Sequence, residues 1–254
     1  MKIVVPVNLV PDLVEELTID ENGTRLDMEW LSLILNEFDD HAIEQAILLK
    51  EAGGAHVTVV APDVEGADDV LYAALAKGAD QIIKILGDFE EGVDKHVLAQ
   101  IFAAPVQALR PDLVLTGVQA HDDLDGSVGP LLAGFLNMPY VGYIAGVEMD
   151  GGAVKVRKEY PGGLMAEMRV TLPAVLGIQA AQEPPRYVAF SRVRQAMKSD
   201  AIEELEIDTL PPDGSVIISR MFEPESGERA EMIDGDEEEV AAKLIEIFQT
   251  QGVL

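Results

Sequence analysis

From the first residue to Thr116, short apolar runs alternate with segments in which every third or fourth residue is apolar. Lys2 to Val7, His56 to Val60, Gln81 to Leu86 and Leu113 to Thr116 are runs of strand length rich in valine, isoleucine and leucine, the pattern of strands buried on both faces. Between them, Ile43, Ala46, Ile47 and Leu49 fall on one face of a helix over Asp39 to Glu51. Val70, Leu71, Ala74 and Leu75 do the same over Asp68 to Lys77. Gly53-Gly54 and Gly78 supply the stops. Asp94 is placed to cap a third helix that runs to Leu109, with Pro105 expected to kink or break it. This alternation predicts an α/β fold, a mostly parallel sheet covered by helices on both faces. Ligands of such sheets sit beyond the carboxyl ends of the strands, where strand order reverses. Pro6 to Leu9, Ala61-Pro62 and Gly117 to Gly129 are therefore the segments to watch.

Beyond Pro139 the pattern changes. Tyr140 to Met149, Ala153 to Tyr160 and Leu164 to Thr171 read as successive strands joined by tight turns at Asp150-Gly151-Gly152 and Pro161-Gly162-Gly163, an antiparallel extension of the sheet. Leu172 to Gln179 offers one more strand. Ala180 to Pro211 is proline-rich and then acidic, and reads as an exposed segment with a short helix around Val193 to Lys198. Ser215 to Phe222 has a strand pattern, and Asp236 to Phe248 a helical one with Val240, Ala241, Leu244 and Phe248 on one side. The expected division is an α/β unit over residues 1–180 and an arm over 181–254.

Composition narrows the function. The 254 residues are 48% hydrophobic, enough for a large core, and no apolar run approaches the length of a membrane span. The chain shows neither a secretory signal nor a basic transit segment, which predicts a cytoplasmic protein. Without cysteine, disulfides, thiolate metal sites and cysteine nucleophiles are excluded. Against 46 acidic residues stand 18 basic ones, a net charge of −28. Such a field repels phosphodiester backbones, so nucleic acid is a poor partner. Any nucleotide must be held by local donors. The acidity itself reads as solubility, salt tolerance or docking to a basic surface.

The stretch GVQAHDDLDGSVGP, from Gly117, leaves a buried strand and enters a helix. Gly126 and Gly129 let backbone approach a neighbour closely, Ser127 adds a hydroxyl, and a helix start presents N–H groups; together these suit a phosphate. No lysine follows, so this is not a Walker loop. Asp122, Asp123 and Asp125 would repel a bare phosphate unless they cap N–H groups or hold a ribose. An ordinary strand-to-helix turn fits the same residues. Asp39-Asp40 reads as a helix cap. His121 beside Asp122 lacks a nucleophile to serve, and His41, His56, His96 and His121 show no metal-ligand spacing. No catalytic carboxylate pair or Ser/His/Asp series is present, so the residues point to a nucleotide-binding α/β protein.

The whole pattern resembles the β subunit family of electron transfer flavoproteins. NEFDDHAIEQAILLKE from Asn36 resembles the family's asparagine-proline-phenylalanine-acid motif with its following helix. ALAKGAD from Ala74, LVLTGVQAHDD from Leu113, YPGGLMAEMRVTLPAVLGI from Tyr160 and EPPRYVAFSRVRQAM from Glu183 follow in the family's order. The resemblance implies a Rossmann-like, adenine-nucleotide α-hydrolase-like sheet and a heterodimer with an α subunit that holds most of the FAD. It implies an electron carrier rather than an enzyme, in a bacterial or archaeal cytoplasm. The β subunit's own pocket carries AMP or, in bifurcating relatives that act as NADH-dependent oxidoreductases, a second FAD. By position this nucleotide pocket would use Pro6, Asn36, Glu37, Phe38, Asp39, Pro62, Gly117, Gln119, Asp122, Gly126, Ser127 and Val128. A partner-docking loop would span Pro185 to Met197 and use Arg186, Phe190, Arg192 and Arg194, with Phe190 where the usual type has a leucine. A nucleotide binder outside electron transfer, of the stress-protein type, is the alternative.

Three departures from the family pattern bear on function. Gly126-Ser127-Val128 replaces an asparagine-glutamine-threonine run in the phosphate loop, and Glu37 replaces a proline. KSDAIEELEID from Lys198 replaces a lysine-rich stretch. An acidic stretch there implies a dedicated redox partner with a basic surface.

Overall fold

A computed structural model describes residues 1–87, 89, 94–123, 125–199, 201–207, 218–224, 227, 230 and 232–253. Its frame is a sheet of nine strands in the order β11-β5-β4-β1-β6-β10-β7-β8-β9. The strands are β1 (Lys2–Pro6), β4 (His56–Pro62), β5 (Gln81–Leu86), β6 (Leu113–Gly117), β7 (Tyr140–Asp150), β8 (Ala153–Tyr160), β9 (Leu164–Thr171), β10 (Ala174–Ile178) and β11 (Glu203–Glu206). All pairings from β11 to β7 are parallel, and β7-β8 and β8-β9 are antiparallel. The expected α/β class with an antiparallel extension is what the chain forms. A separate pair, β2 (Leu9–Pro11) and β3 (Leu33–Leu35), was not anticipated; strands of three residues carry too little pattern to be seen.

The apolar runs are buried because both faces are covered. Ile3, Val5, Val57, Val59, Leu113 and Leu115 point one way and pack with Ile43, Ile47 and Leu71 from helices α1 (Glu37–Gly53) and α2 (Ala67–Lys77). Val4, Val60, Val114 and Val175 point the other way against Leu98, Phe102 and Leu132 from α3 (Lys95–Leu109) and α4 (Val128–Leu136). Alternate residues along one strand thus enter opposite cores, as the period of two requires.

Helix ends follow their local chemistry. Asp94 caps α3, its carboxylate accepting from the N–H groups of His96 and Val97 at 2.8 and 3.0 Å. The helix then runs through Pro105 to Leu109 without the expected break. Pro105 is buried within it, as are Phe102 and Val106. Asn137 ends α4 in the left-handed conformation (φ 53°).

The strand expected over Leu172 to Gln179 forms as β10, which inserts between β6 and β7. One placement departs from expectation. The acidic stretch after Lys198 includes β11, which pairs in parallel with β5 and becomes the sheet's edge. Gln81 donates to Glu203 at 2.6 Å, and Lys84 lies 3.0 Å from Asp68 and 3.8 Å from Glu204. Of the expected strand over Ser215 to Phe222, 215–217 lie outside the described residues and 218–222 form no strand. Further on, α6 (Glu237–Thr250) begins at an Asp236–Glu239 capping box.

Candidate functional site

Chain order moves from β1 outwards through β4 to β5, then returns to β6 on the other side of β1. The crevice beyond the carboxyl ends of β1 and β6 is thus the point where strand order reverses. A cleft opens there, lined by Asn8 after β1, Asn36 and Asp39 at the start of α1, and Lys95 at the start of α3. Thr116 to Ala120 at the end of β6, then Asp123, Gly126 and Val128, complete it.

Asp39 organises this place. Expected as a helix cap, its carboxylate does something else: Oδ2 accepts from the N–H of Asn8 at 2.9 Å and Oδ1 from the N–H of Gly117 at 2.7 Å. One side chain ties the exits of β1 and β6 to the first turn of α1. Asn36 works beside it, donating through Nδ2 to the carbonyl of Gln119 at 3.0 Å and through its backbone N–H to Asn8. Burial pushes the Asp39 carboxyl up to about 6, against the opposing pull of those two N–H groups, of Asn36 and of the Lys95 charge.

The loop from Gly117 to Gly129 is folded by its own polar groups. Ala120 and Asp123 exchange backbone hydrogen bonds, and the Asp123 carboxylate accepts from the N–H of Ser127 at 3.2 Å. Gly126 has φ +62°, and a Cβ there would strike the carbonyl oxygen of Val118. A Cβ on Gly129 would sit 2.8 Å from Thr116 Oγ1 and 2.9 Å from the Tyr140 ring. These glycines are required by the chain's contact with itself. Thr116 Oγ1 is buried with no hydrogen-bond partner among the described residues. Asp122 is taken by Lys95, whose Nζ lies 2.7 Å from its Oδ2.

A family model for the electron transfer flavoprotein domain matches residues 30–210, a span that includes almost all of this cleft. The chain is 34% identical to the electron transfer flavoprotein subunit beta of Methylophilus methylotrophus, over 98% of each chain. It is 31% identical to that of Clostridium acetobutylicum over 96% of each. It is also 33% identical to the probable electron transfer flavoprotein subunit beta of Saccharomyces cerevisiae, over 82% of this chain and 80% of the yeast one. The chain belongs to the electron transfer flavoprotein β-subunit family.

Of the residues that the family pattern assigns to a pocket, the fold brings Asn36, Asp39, Gly117, Gln119, Gly126 and Val128 together around the cleft. Asp122 and Ser127 stand behind it, occupied by Lys95 and Asp123. Pro6 and Pro62 are buried strand ends that do not line it, and neither do the exposed Glu37 and half-buried Phe38. Asn8, Lys95 and Thr116 also line it and were missing from the predicted set. Lys95 had a legible signal, since the helix after β5 must start at the same end of the sheet.

The segment expected to dock a partner leaves β10 along α1. Ala181 donates its N–H to His41 Nδ1 at 3.2 Å, and Gln182 to Gln45 Oε1 at 3.2 Å. Arg186 then turns inward. Its guanidinium meets the buried Glu44 at 2.8 Å and Glu51 at 2.6 Å, so it anchors the segment to its own domain. Helix α5 (Phe190–Ser199) packs on α2 and buries Ala196. Phe190, 63% exposed, faces out beneath the Arg194 guanidinium at 4.5 Å, and Arg192 is exposed beside it.

Proposed function

We propose that the chain is the β subunit of a heterodimeric electron transfer flavoprotein, an electron carrier that makes and breaks no bonds of its own. The observation that carries the reading is the family match falling on the residues that build the strand-reversal cleft. Electrons pass from a redox donor to an acceptor through FAD, held mostly by the α subunit; the flavin supplies the redox chemistry when bound. The residues here bind and position. The cleft between β1 and β6 takes AMP, or a second FAD in a bifurcating arrangement, with the loop from Gly117 to Val128 against the phosphate. A Thr116 hydroxyl with no partner among the described residues, and a lysine at the cleft's edge, suit a phosphorylated ligand. Residues 1–180 form the nucleotide-binding unit, and 181–254 the docking loop and the arm that holds the α subunit. Phe190, Arg192 and Arg194 face a dedicated redox partner in the cytoplasm.

The test is a count. The complex with its α subunit is purified and denatured, and the released nucleotides are separated and quantified. One FAD with one AMP per heterodimer is the result expected of a simple carrier, and two FAD that of a bifurcating one. Release of neither would overturn the nucleotide assignment.

A further inference from the structure

Lys95 is the one cation that lines the cleft among the described residues, and it faces two carboxylates there, Asp39 and Asp123. Gly126 and Val128 bring no polar side chain, so a phosphate in this cleft meets net negative charge unless Lys95 turns to it. The lysine is ready to do so. Its backbone is fixed at the first turn of α3, where Asp94 takes the neighbouring N–H groups. Its side chain is only 18% exposed, and its ammonium is held 2.7 Å from Asp122. Asp122 is more open to water than its partner, with 32% of its side chain exposed. The pair meets water on its Asp122 side, where an ion pair is screened and contributes little, so a more highly charged group can compete for the lysine. Thr116 Oγ1, buried on the cleft wall without a partner among the described residues, is a second group positioned for a polar ligand.

We infer that Lys95 is the specificity-determining residue that reads the 5′-phosphate of an adenosine nucleotide, releasing Asp122 to take it. The inference rests on the nucleotide reading above and names the contact that makes so acidic a chain accept an anion. The shared chemistry is the adenosine 5′-phosphate group, present in both AMP and FAD.

The test uses the full chain complexed with its α subunit and stripped of nucleotide, titrated with AMP, FAD and adenosine. Lys95→Gln is expected to weaken whichever of AMP and FAD the parent binds by at least about tenfold, the loss of a charge-assisted contact, or about 1.4 kcal/mol. Adenosine affinity and thermal stability stay at the parent's level. Asp122→Asn, which frees the lysine, is expected to raise nucleotide affinity, and a loss of affinity would overturn the inference. Parent-level nucleotide binding by Lys95→Gln would overturn the inference, as would an equal loss for adenosine. A parent that binds neither AMP nor FAD would instead remove the nucleotide reading, and the inference with it.

Discussion

Asp39 shows how one side chain can serve position at a cost in charge. Its two oxygens accept from two different strand exits, so neither can be replaced by a donor without leaving an N–H facing another N–H. Its folded pKa, about 6, lies above the ordinary 3.8 because burial penalises the anion. The sign follows from linkage: a raised folded pKa gives stability that is complete below pH 3.8 and lost as pH rises through 6. The shift of about two units corresponds to about 3 kcal/mol. Asp39→Asn is expected to cost about 1–3 kcal/mol through the lost acceptor. It should also remove the stability that the parent gains as pH falls from 7 towards 5. Urea denaturation of both proteins at several pH values checks this. A constant difference between them would contradict it.

Among the elements, α1 has two assignments. Its first turn holds the cleft through Asn36 and Asp39, and its outer face holds the segment after β10 through His41, Glu44 and Gln45. The Glu44 carboxylate is nearly inaccessible while its Arg186 partner is partly open. Removing the cation leaves a buried charge alone, which is worse than removing both. Arg186→Ala should therefore lower stability by about 3 kcal/mol and expose the α5 segment to protease. Glu44→Leu with Arg186→Met should restore most of the loss. Equal losses for the single and double variants, in denaturant titration, would reject the buried-pair account. At the sheet edge, β11 carries Glu203, Glu204 and Glu206 in four residues, and such charge discourages another strand from adding there.

For the whole molecule, the C-terminal helix is the outlier. None of α6 is buried, and Ile245, Ile247 and Phe248 are each 40–49% exposed. A capped amphipathic helix with its apolar side in water is stabilised by covering it, and the proposal that residues 181–254 hold the α subunit names that cover. Deleting residues 232–254 should leave the unfolding free energy of the isolated chain unchanged while abolishing co-purification with the α subunit. Loss of stability in the isolated chain would instead mean that α6 packs on its own domain. No helix among the described residues is long and apolar enough to cross a membrane.

The sequence by itself determined the parallel strands, their helices and the antiparallel extension, because each announces itself within its own residues. Continuous valine and isoleucine runs, helical spacing of apolar positions and glycine stops are local signals. Asn36, Asp39 and the loop from Gly117 were also legible, the first two through family likeness and the loop also by its place after a strand. Tertiary structure alone decided where β10 and β11 enter the sheet, since pairing depends on partners more than thirty residues away in chain order. It alone turned Asp39 from a cap into a bridge and tied Arg186 to Glu44 and Glu51. It alone brought Lys95 to Asp122, and showed that the glycines at 126 and 129 answer first to Val118, Thr116 and Tyr140. The physical reason is common to all of these. Hydrogen bonds and ion pairs between remote segments leave no period in the sequence, and only the closed fold shows which donor meets which acceptor.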